Sequence, residues 1–163
     1  MKRIIQGAGA LLLGICIFAG VFMGSATNAL SAGAGAPIDT PYQYPVVPGT
    51  DEWTALTDHV EKLELCQIPE EILSNMTTRA LAETVLAYPL LVDMYAWDST
   101  AIGYQVVSAA FNGLAELERR PDGLSALEEL EGETGAASGD AAALYLRTLI
   151  REMSAAKADA DAA

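Results

Sequence analysis

Apolar residues recur at three- and four-residue steps through residues 50–131, and this spacing constrains the fold more than any other feature of the chain. Such steps place apolar side chains on one face of a helix. The first series is Trp53, Leu56, Val60 and Leu63, preceded by Thr50 as a capping residue. No alternating strand pattern follows. The sequence therefore predicts an all-α domain over residues 50–132, a compact bundle or short array of five to six helices.

Prolines and glycines divide this helical region into segments. Pro69 suits the first turn of a short helix, and Pro89 marks a boundary, because the residue before a proline avoids helical angles. Residues 90–97 are apolar except for one acid, which predicts a central position. The helix that follows either continues with a kink or breaks at Asn112-Gly113.

Residues 35–49 are rich in proline and aromatic side chains and precede the helical region. Three prolines between residues 41 and 48 disfavour helix and favour an extended conformation. We expect an extended arm whose Tyr42, Tyr44 and Val46 pack on the helical body. A displayed ligand for another domain is the alternative.

The last part of the chain is predicted to be separate from the helical body. Residues 133–143 are mainly small and polar, which is typical of a flexible linker. Residues 144–163 are predicted to form a C-terminal helix and a disordered tail. The apolar face of that helix comprises Leu146, Leu149, Ile150 and Met153. Because the linker lacks the apolar content needed to tie this helix to the core, we expect the body to fold without it.

Residues 1–34 have the three-part pattern of an export signal. Lys2 and Arg3 give a positive start, an apolar run follows, and small residues come next. The apolar stretch of about 20 residues is also long enough to span a membrane. Its many glycines favour cleavage instead. We therefore predict a cleaved signal peptide, with an uncleaved N-terminal helix that tethers the protein to the membrane as the alternative.

The chain is strongly acidic, with a formal net charge of −13. Cleavage of the signal makes the charge more negative, because Lys2 and Arg3 are lost while all 22 acidic residues remain. Nucleic acid is therefore a poor partner, and no stable membrane insertion is expected after cleavage. Only Cys66 survives cleavage, so no disulfide forms within a mature chain. Export without disulfides indicates a bacterial protein, secreted or associated with the cell surface.

Few residues are candidates for chemistry, and we assign no catalytic, cofactor-binding or metal-ligating residue. His59 is the one histidine of the chain, and its pairing with Cys66 would depend on the turn after the first helix. A buried, inert Cys66 is favoured. The acidic run Glu128, Glu129, Glu131 and Glu133 is interpreted as a solvated helix face, because its spacing does not match a calcium loop.

Asp93 and Asp98 are the best carboxylate candidates, because they flank the aromatic residues Tyr88, Tyr95 and Trp97. An acid in apolar surroundings can have a raised pKa and perform acid-base chemistry. The favoured interpretation is structural. Asp93 is expected to bond a helix end or face solvent, and Asp98 to cap the helix that starts at Ser99.

Four short stretches form a distinctive set of capping, boundary and core residues. They are Tyr44-Pro45 through Pro48-Gly49-Thr50-x-Glu52-Trp53, Gln67-Ile68-Pro69-Glu70-Glu71-Ile72-Leu73, Met76-Thr77-Thr78-x-Ala80-Leu81-x-Glu83-Thr84-Val85-Leu86-x-Tyr88-Pro89-Leu90-Leu91, and Phe111-Asn112-Gly113-Leu114-x-Glu116-Leu117. This set resembles an uncharacterised family of exported, all-helical bacterial proteins, mainly Gram-positive, over residues 42–122. The resemblance implies export and a helical domain, and it carries no activity.

These observations favour a non-enzymatic binding or interaction module, whose partner is an unidentified protein or cell-envelope component and which needs no cofactor. A small carboxylate-dependent hydrolase is the alternative, because such a site needs no diagnostic spacing. A deep pocket that holds Asp93 and a second acid would favour the hydrolase. A shallow exposed apolar patch would favour binding.

Overall fold

The computed structural model describes residues 36–134 and 141–162. The predicted signal peptide and most of the predicted linker lie outside these residues. The helices are α1 (Asp51–Ala55), α2 (His59–Leu65), α3 (Glu70–Leu73), α4 (Thr78–Leu86), a 3₁₀ helix (Leu91–Tyr95), α5 (Thr100–Ala110), α6 (Asn112–Arg119), α7 (Gly123–Thr134) and α8 (Ala141–Asp161). Within the described ranges, none of these helices combines the length and apolar character needed to cross a bilayer.

The predicted all-α class is confirmed, since the described residues are helical and contain no strand. The described part of the chain has more helices than the five or six predicted, partly because the first predicted helix is divided in two. Leu56 has extended backbone angles after α1, and Asp58 then caps α2 by accepting a hydrogen bond from the Val60 N–H at 2.9 Å. A local side-chain cap therefore interrupts a continuous apolar pattern.

Hydroxyl caps define the starts of three helices. Thr50 accepts from the Trp53 N–H at 3.2 Å, and Thr77 accepts from the Ala80 N–H at 3.3 Å. Ser99 caps α5 in the same way. These side chains satisfy N–H groups that have no partner within the helix, so the chain fixes its own helix starts.

Helix α4 lies at the centre of the core. Its Ala80, Leu81 and Val85 are fully buried, and α6, α7 and α8 all pack against it. The core continues into Phe111 and Leu127.

Residues 36–49 contain no helix and lie against α4. The Ile38 N–H donates a hydrogen bond to the Asn75 carbonyl, and the Ile38 carbonyl accepts one from the Thr77 N–H. These two bonds lie on either side of Met76. Tyr42 N–H donates to the Thr84 hydroxyl at 2.9 Å, and the Tyr44 hydroxyl donates to the Thr84 carbonyl at 3.0 Å. The side chains of Tyr42, Tyr44 and Val46, which were expected to pack on the body, are partly buried against the core.

The expectation that the last helix is separate from the body is wrong. Leu146, Leu149 and Met153 are buried in the same core as α4, and α8 packs against α4, α5 and α7. The helix is also longer than predicted, at 21 residues from Ala141. Its apolar face was predicted correctly, but linker composition says nothing about what that face contacts.

Polar contacts add to this docking. The Thr148 and Tyr95 hydroxyls lie 2.8 Å apart, and Thr100 donates to Glu152 at 2.7 Å. These bonds connect α8 to the 3₁₀ helix and to the first turn of α5. Helix α8 therefore supports two of the elements that form the site described below.

Candidate functional site

A cleft of about 270 Å³ opens between α2 and α5, and we call it the α2–α5 cleft. Its third wall is the segment that runs from the end of α4 through the 3₁₀ helix. Most of the residues that line it are apolar: His59, Leu63, Tyr88, Leu90, Asp93, Ala96, Trp97, Val106, Val107 and Ala110. An apolar lining with a few polar groups is usual for small-molecule sites.

The cleft has a buried floor and an open mouth. Tyr88, Leu90 and Val107 are at most 5% exposed and form the floor. At the mouth, the His59 side chain is 58% exposed and Trp97 is 49% exposed. A ligand would therefore enter past an imidazole and an indole and reach an apolar interior.

Asp93 and His59 are the two residues of the cleft with acid or base side chains that contact each other. The His59 Nε2 lies 3.3 Å from the Asp93 Oδ2. Burial raises the pKa of the Asp93 carboxyl above its ordinary value of 3.8, and the nearby His59 opposes the shift. The sequence identified Asp93 as the better carboxylate candidate, but its pairing with His59 was not predicted. The two residues are far apart in the chain, and no sequence signal links them.

Tyr88 presents the other polar group of the floor. Its ring stacks on Phe111, with centroids 3.9 Å apart and planes within 5° of parallel. Its buried hydroxyl has no hydrogen-bond partner among the described residues. Burial raises the pKa of this phenol, with further contributions from Cys66 and Asp93, so the hydroxyl stays protonated. Buried hydroxyls usually have a partner, which makes this one notable within a cleft.

The three aromatic residues around Asp93 and Asp98 do not form one group. Tyr88 and Trp97 line the cleft, whereas Tyr95 faces α8, with its ring 5.8 Å from that of Tyr145. Of the three, only Tyr95 lies on the 3₁₀ helix, two residues after Asp93, and a helix with three residues per turn places these two side chains on different sides.

Asp98 is exposed and does not line the cleft. The predicted cap of α5 by Asp98 is wrong, because the Ser99 hydroxyl accepts the Ile102 N–H at 3.3 Å. Each of the two acids therefore differs from its predicted structural role, since Asp93 contacts an imidazole in a cleft and Asp98 caps no helix.

Cys66 lies in the core with no exposed surface, and burial raises the pKa of its thiol. The thiol therefore stays protonated, as the favoured interpretation of an inert cysteine requires. The His59 imidazole, which the sequence offered as a possible partner of Cys66, contacts Asp93.

The acidic run lies on a solvated face of α7, as predicted: Glu128, Glu129 and Glu133 are exposed and Glu131 is half-buried. Two of these acids form surface ion pairs, Glu131 with Arg147 at 3.2 Å and Glu133 with Arg79. Among the residues that the structure describes, no group of three potential ligands could hold a metal ion.

Two side-chain amides hold opposite walls of the cleft together. Gln67 donates from Nε2 to the carbonyl oxygens of Leu63 at 2.7 Å and Ala110 at 3.0 Å. Its Oε1 accepts the Asn112 N–H at 3.0 Å. The Asn112 amide in turn exchanges two hydrogen bonds with the backbone of Ile68. Because Leu63 is on α2 and Ala110 is on α5, these bonds fix the width of the cleft.

The same bonds decide between a kink and a break after α5. The backbone at Phe111 is extended, and α6 starts at Asn112, so the helix breaks one residue before the predicted Asn112-Gly113 position. The Asn112 N–H bonds Gln67 in place of a helical carbonyl, which is why α5 does not continue.

Comparisons with known proteins give no assignment for this site, since no family model, curated protein or solved structure matches the chain.

Proposed function

We propose that this chain is an exported, non-enzymatic binding module that acts at or outside the cell surface of a Gram-positive bacterium, and that the α2–α5 cleft is its binding site. The pattern of residues 1–34 supports export. The acidic composition disfavours nucleic acid and anionic lipid as partners. The cleft supports binding of a small apolar group, either free or carried by a cell-envelope partner.

The Tyr88 hydroxyl is the observation that carries this proposal. Tyr88 lines the cleft, and its hydroxyl is buried with no described residue to satisfy it. A buried polar group without a partner costs about 1–3 kcal/mol, so its place in a cleft favours a ligand group that completes the hydrogen bond.

Asp93 supports the same conclusion. Because its pKa is raised in the folded chain, the ionised carboxylate destabilises the fold, and this penalty disappears as the pH falls through the raised pKa. The ionised Asp93 carboxylate therefore does not stabilise the fold. Carboxyl groups with a raised pKa in a cleft are typical of functional sites.

The alternative of a carboxylate-dependent hydrolase receives less support. Its predicted signature was a deep pocket in which Asp93 lies with a second acid. Asp93 is the one carboxylate among the residues that line the cleft, and His59 faces it instead. The arrangement lacks the pair of acids that the hydrolase interpretation requires.

Binding in the cleft should be visible in the indole N–H resonances of the two tryptophans. Titration of the full chain with phenethyl alcohol should shift the Trp97 resonance, because Trp97 lines the cleft. Trp53 should not respond, because it lies elsewhere, beneath the Lys62 ammonium at 4.7 Å. Equal shifts at both tryptophans, or none at Trp97, would refute the assigned site.

A matched pair of variants controls this experiment. Ala110 lines the cleft and Ala109 does not, although both are exposed residues of α5. Ala110→Phe should fill the cleft and abolish the response of Trp97, whereas Ala109→Phe should preserve it. A response that survives Ala110→Phe would place binding outside the cleft.

Export is tested separately by N-terminal sequencing of the protein recovered outside the cell. The mature chain should begin between Thr27 and Pro37, where small residues provide cleavage sites. Recovery of an intact chain that begins at Met1 in the membrane fraction would contradict cleavage. It would support the alternative, an uncleaved N-terminal helix that tethers the protein to the membrane.

A further inference from the structure

We propose that the α2–α5 cleft binds a small organic amine, a free molecule with one protonated amino group and an apolar body about the size of a single aromatic ring. This inference rests on the proposed binding function of the cleft and adds the charge and size of the ligand.

Asp93 supplies the charge preference. Its Oδ2 lies 3.3 Å from the His59 Nε2, and its side chain is 29% exposed, so a ligand in the cleft can reach the carboxylate. A carboxylate that is partly removed from water favours a cation that donates a hydrogen bond to it. The net charge of −13 also attracts cations to the molecule and repels anions.

Tyr88 and Trp97 provide two further contacts for an ammonium group. Tyr88 and Asp93 both line the cleft. The Tyr88 oxygen has lone pairs that can accept an ammonium N–H. The half-exposed indole of Trp97 offers a π face, which attracts cations, at the mouth.

The volume of the cleft limits the ligand to a small molecule. Ligand pockets usually measure about 300–1,000 Å³, and this cleft is slightly smaller. Leu63 and Val106 form apolar walls, which with Leu90 of the floor would surround an aromatic or branched alkyl body. An amino group joined to such a body by a short chain matches both the walls and the polar groups.

Three probes with the same ring and different head groups test the inference on the full chain. Phenethylamine is cationic, phenethyl alcohol is neutral and phenylacetate is anionic. From the worth of a hydrogen bond to a charged group, phenethylamine should bind about tenfold more tightly than phenethyl alcohol, with phenylacetate weakest. The shift of the Trp97 indole N–H reports each affinity.

Asp93→Asn should remove this preference, so that the ratio of amine to alcohol affinity falls to about one. Asp98→Asn is the matched control, because it makes the same charge change at an exposed acid outside the cleft. It should keep the preference. Both variants should retain the thermal transition of the parent chain, since neither acid stabilises a neighbouring helix by capping.

The pH dependence provides a second readout. His59 on α2 contacts Asp93, Tyr88 before the 3₁₀ helix lines the same cleft, and the lining residues of α5 are uncharged. Lowering the pH through the raised pKa of Asp93 removes its charge, so amine affinity should fall while alcohol affinity changes little. An amine affinity that does not change over this range would count against the inference.

The outcomes separate the inference from the proposed function. Equal binding of amine and alcohol, or a preference for phenylacetate, overturns the amine inference and leaves the cleft as a binding site. No Trp97 response to any of the three probes overturns the proposed function itself. Tighter binding of a short lysine-containing peptide than of phenethylamine would identify a protein side chain as the source of the amine. That result would contradict the proposal that the ligand is a free small molecule.

Discussion

A chain that ends at Thr134 should lose the cooperative thermal transition of the full-length protein. This change removes α8, whose Leu146, Leu149 and Met153 are at most 2% exposed in the core. Truncating one buried Leu or Met side chain typically costs about 2–5 kcal/mol. Three such losses are comparable with the total stability of about 5–15 kcal/mol of a domain. Circular dichroism during heating measures the transition.

Two controls distinguish core packing from a general effect of shortening. A chain that ends at Ala156 keeps the three buried side chains and should retain the transition. Leu149→Ala should be strongly destabilising. Leu144→Ala, at a position on the same helix that is 55% exposed, should change stability by no more than about 0.5 kcal/mol. If the chain ending at Thr134 melts like the full-length protein, α8 is a separate helix and its packing in the structure is wrong.

Gly103→Ala should destabilise the protein by about 1–3 kcal/mol or more, because an added Cβ has no space. This Cβ would overlap the carbonyl oxygen of Met94 and lie 2.6 Å and 2.8 Å from the Met94 carbonyl carbon and Cα. These are backbone atoms, so the 3₁₀ helix must move away from α5. Urea unfolding measures the loss of stability.

The same displacement should weaken ligand binding, because Met94 is next to Asp93 on the 3₁₀ helix. Gly132→Ala is the matched control, since a Cβ added to Gly132 on α7 meets no atom within 4 Å. Replacing a helical glycine by alanine there should be neutral or stabilising by up to about 1 kcal/mol. If Gly103→Ala is as stable as Gly132→Ala, the close contact of α5 with the 3₁₀ helix does not exist in solution.

Local signals in the sequence identified many of the helices and their starts. Thr50 was recognised as a cap because a capping hydroxyl acts within three residues of itself. The divided first helix was missed, although Asp58 is an ordinary capping residue, because the apolar steps continue across it. Periodicity and capping compete in such a segment, and the cap prevailed.

The candidate site was predicted only in part. Asp93 was singled out from its apolar neighbours in the chain, which is a local property. Its contact with His59 and its place in a cleft depend on how α2 meets the 3₁₀ helix. Likewise, Gln67 and Asn112 carry no special sequence signal, although their amides connect the two walls of the cleft.

The sequence by itself determined the all-α class, the cap at Thr50 and the apolar face of the last helix, because each depends on residues within a few positions of one another. Only the tertiary structure decided that α8 completes the core, since an apolar face specifies burial but not its partner. It also decided that His59, Tyr88, Asp93 and Trp97 meet in one cleft. Contacts between residues distant in the chain depend on the packing of whole helices, which no local pattern encodes.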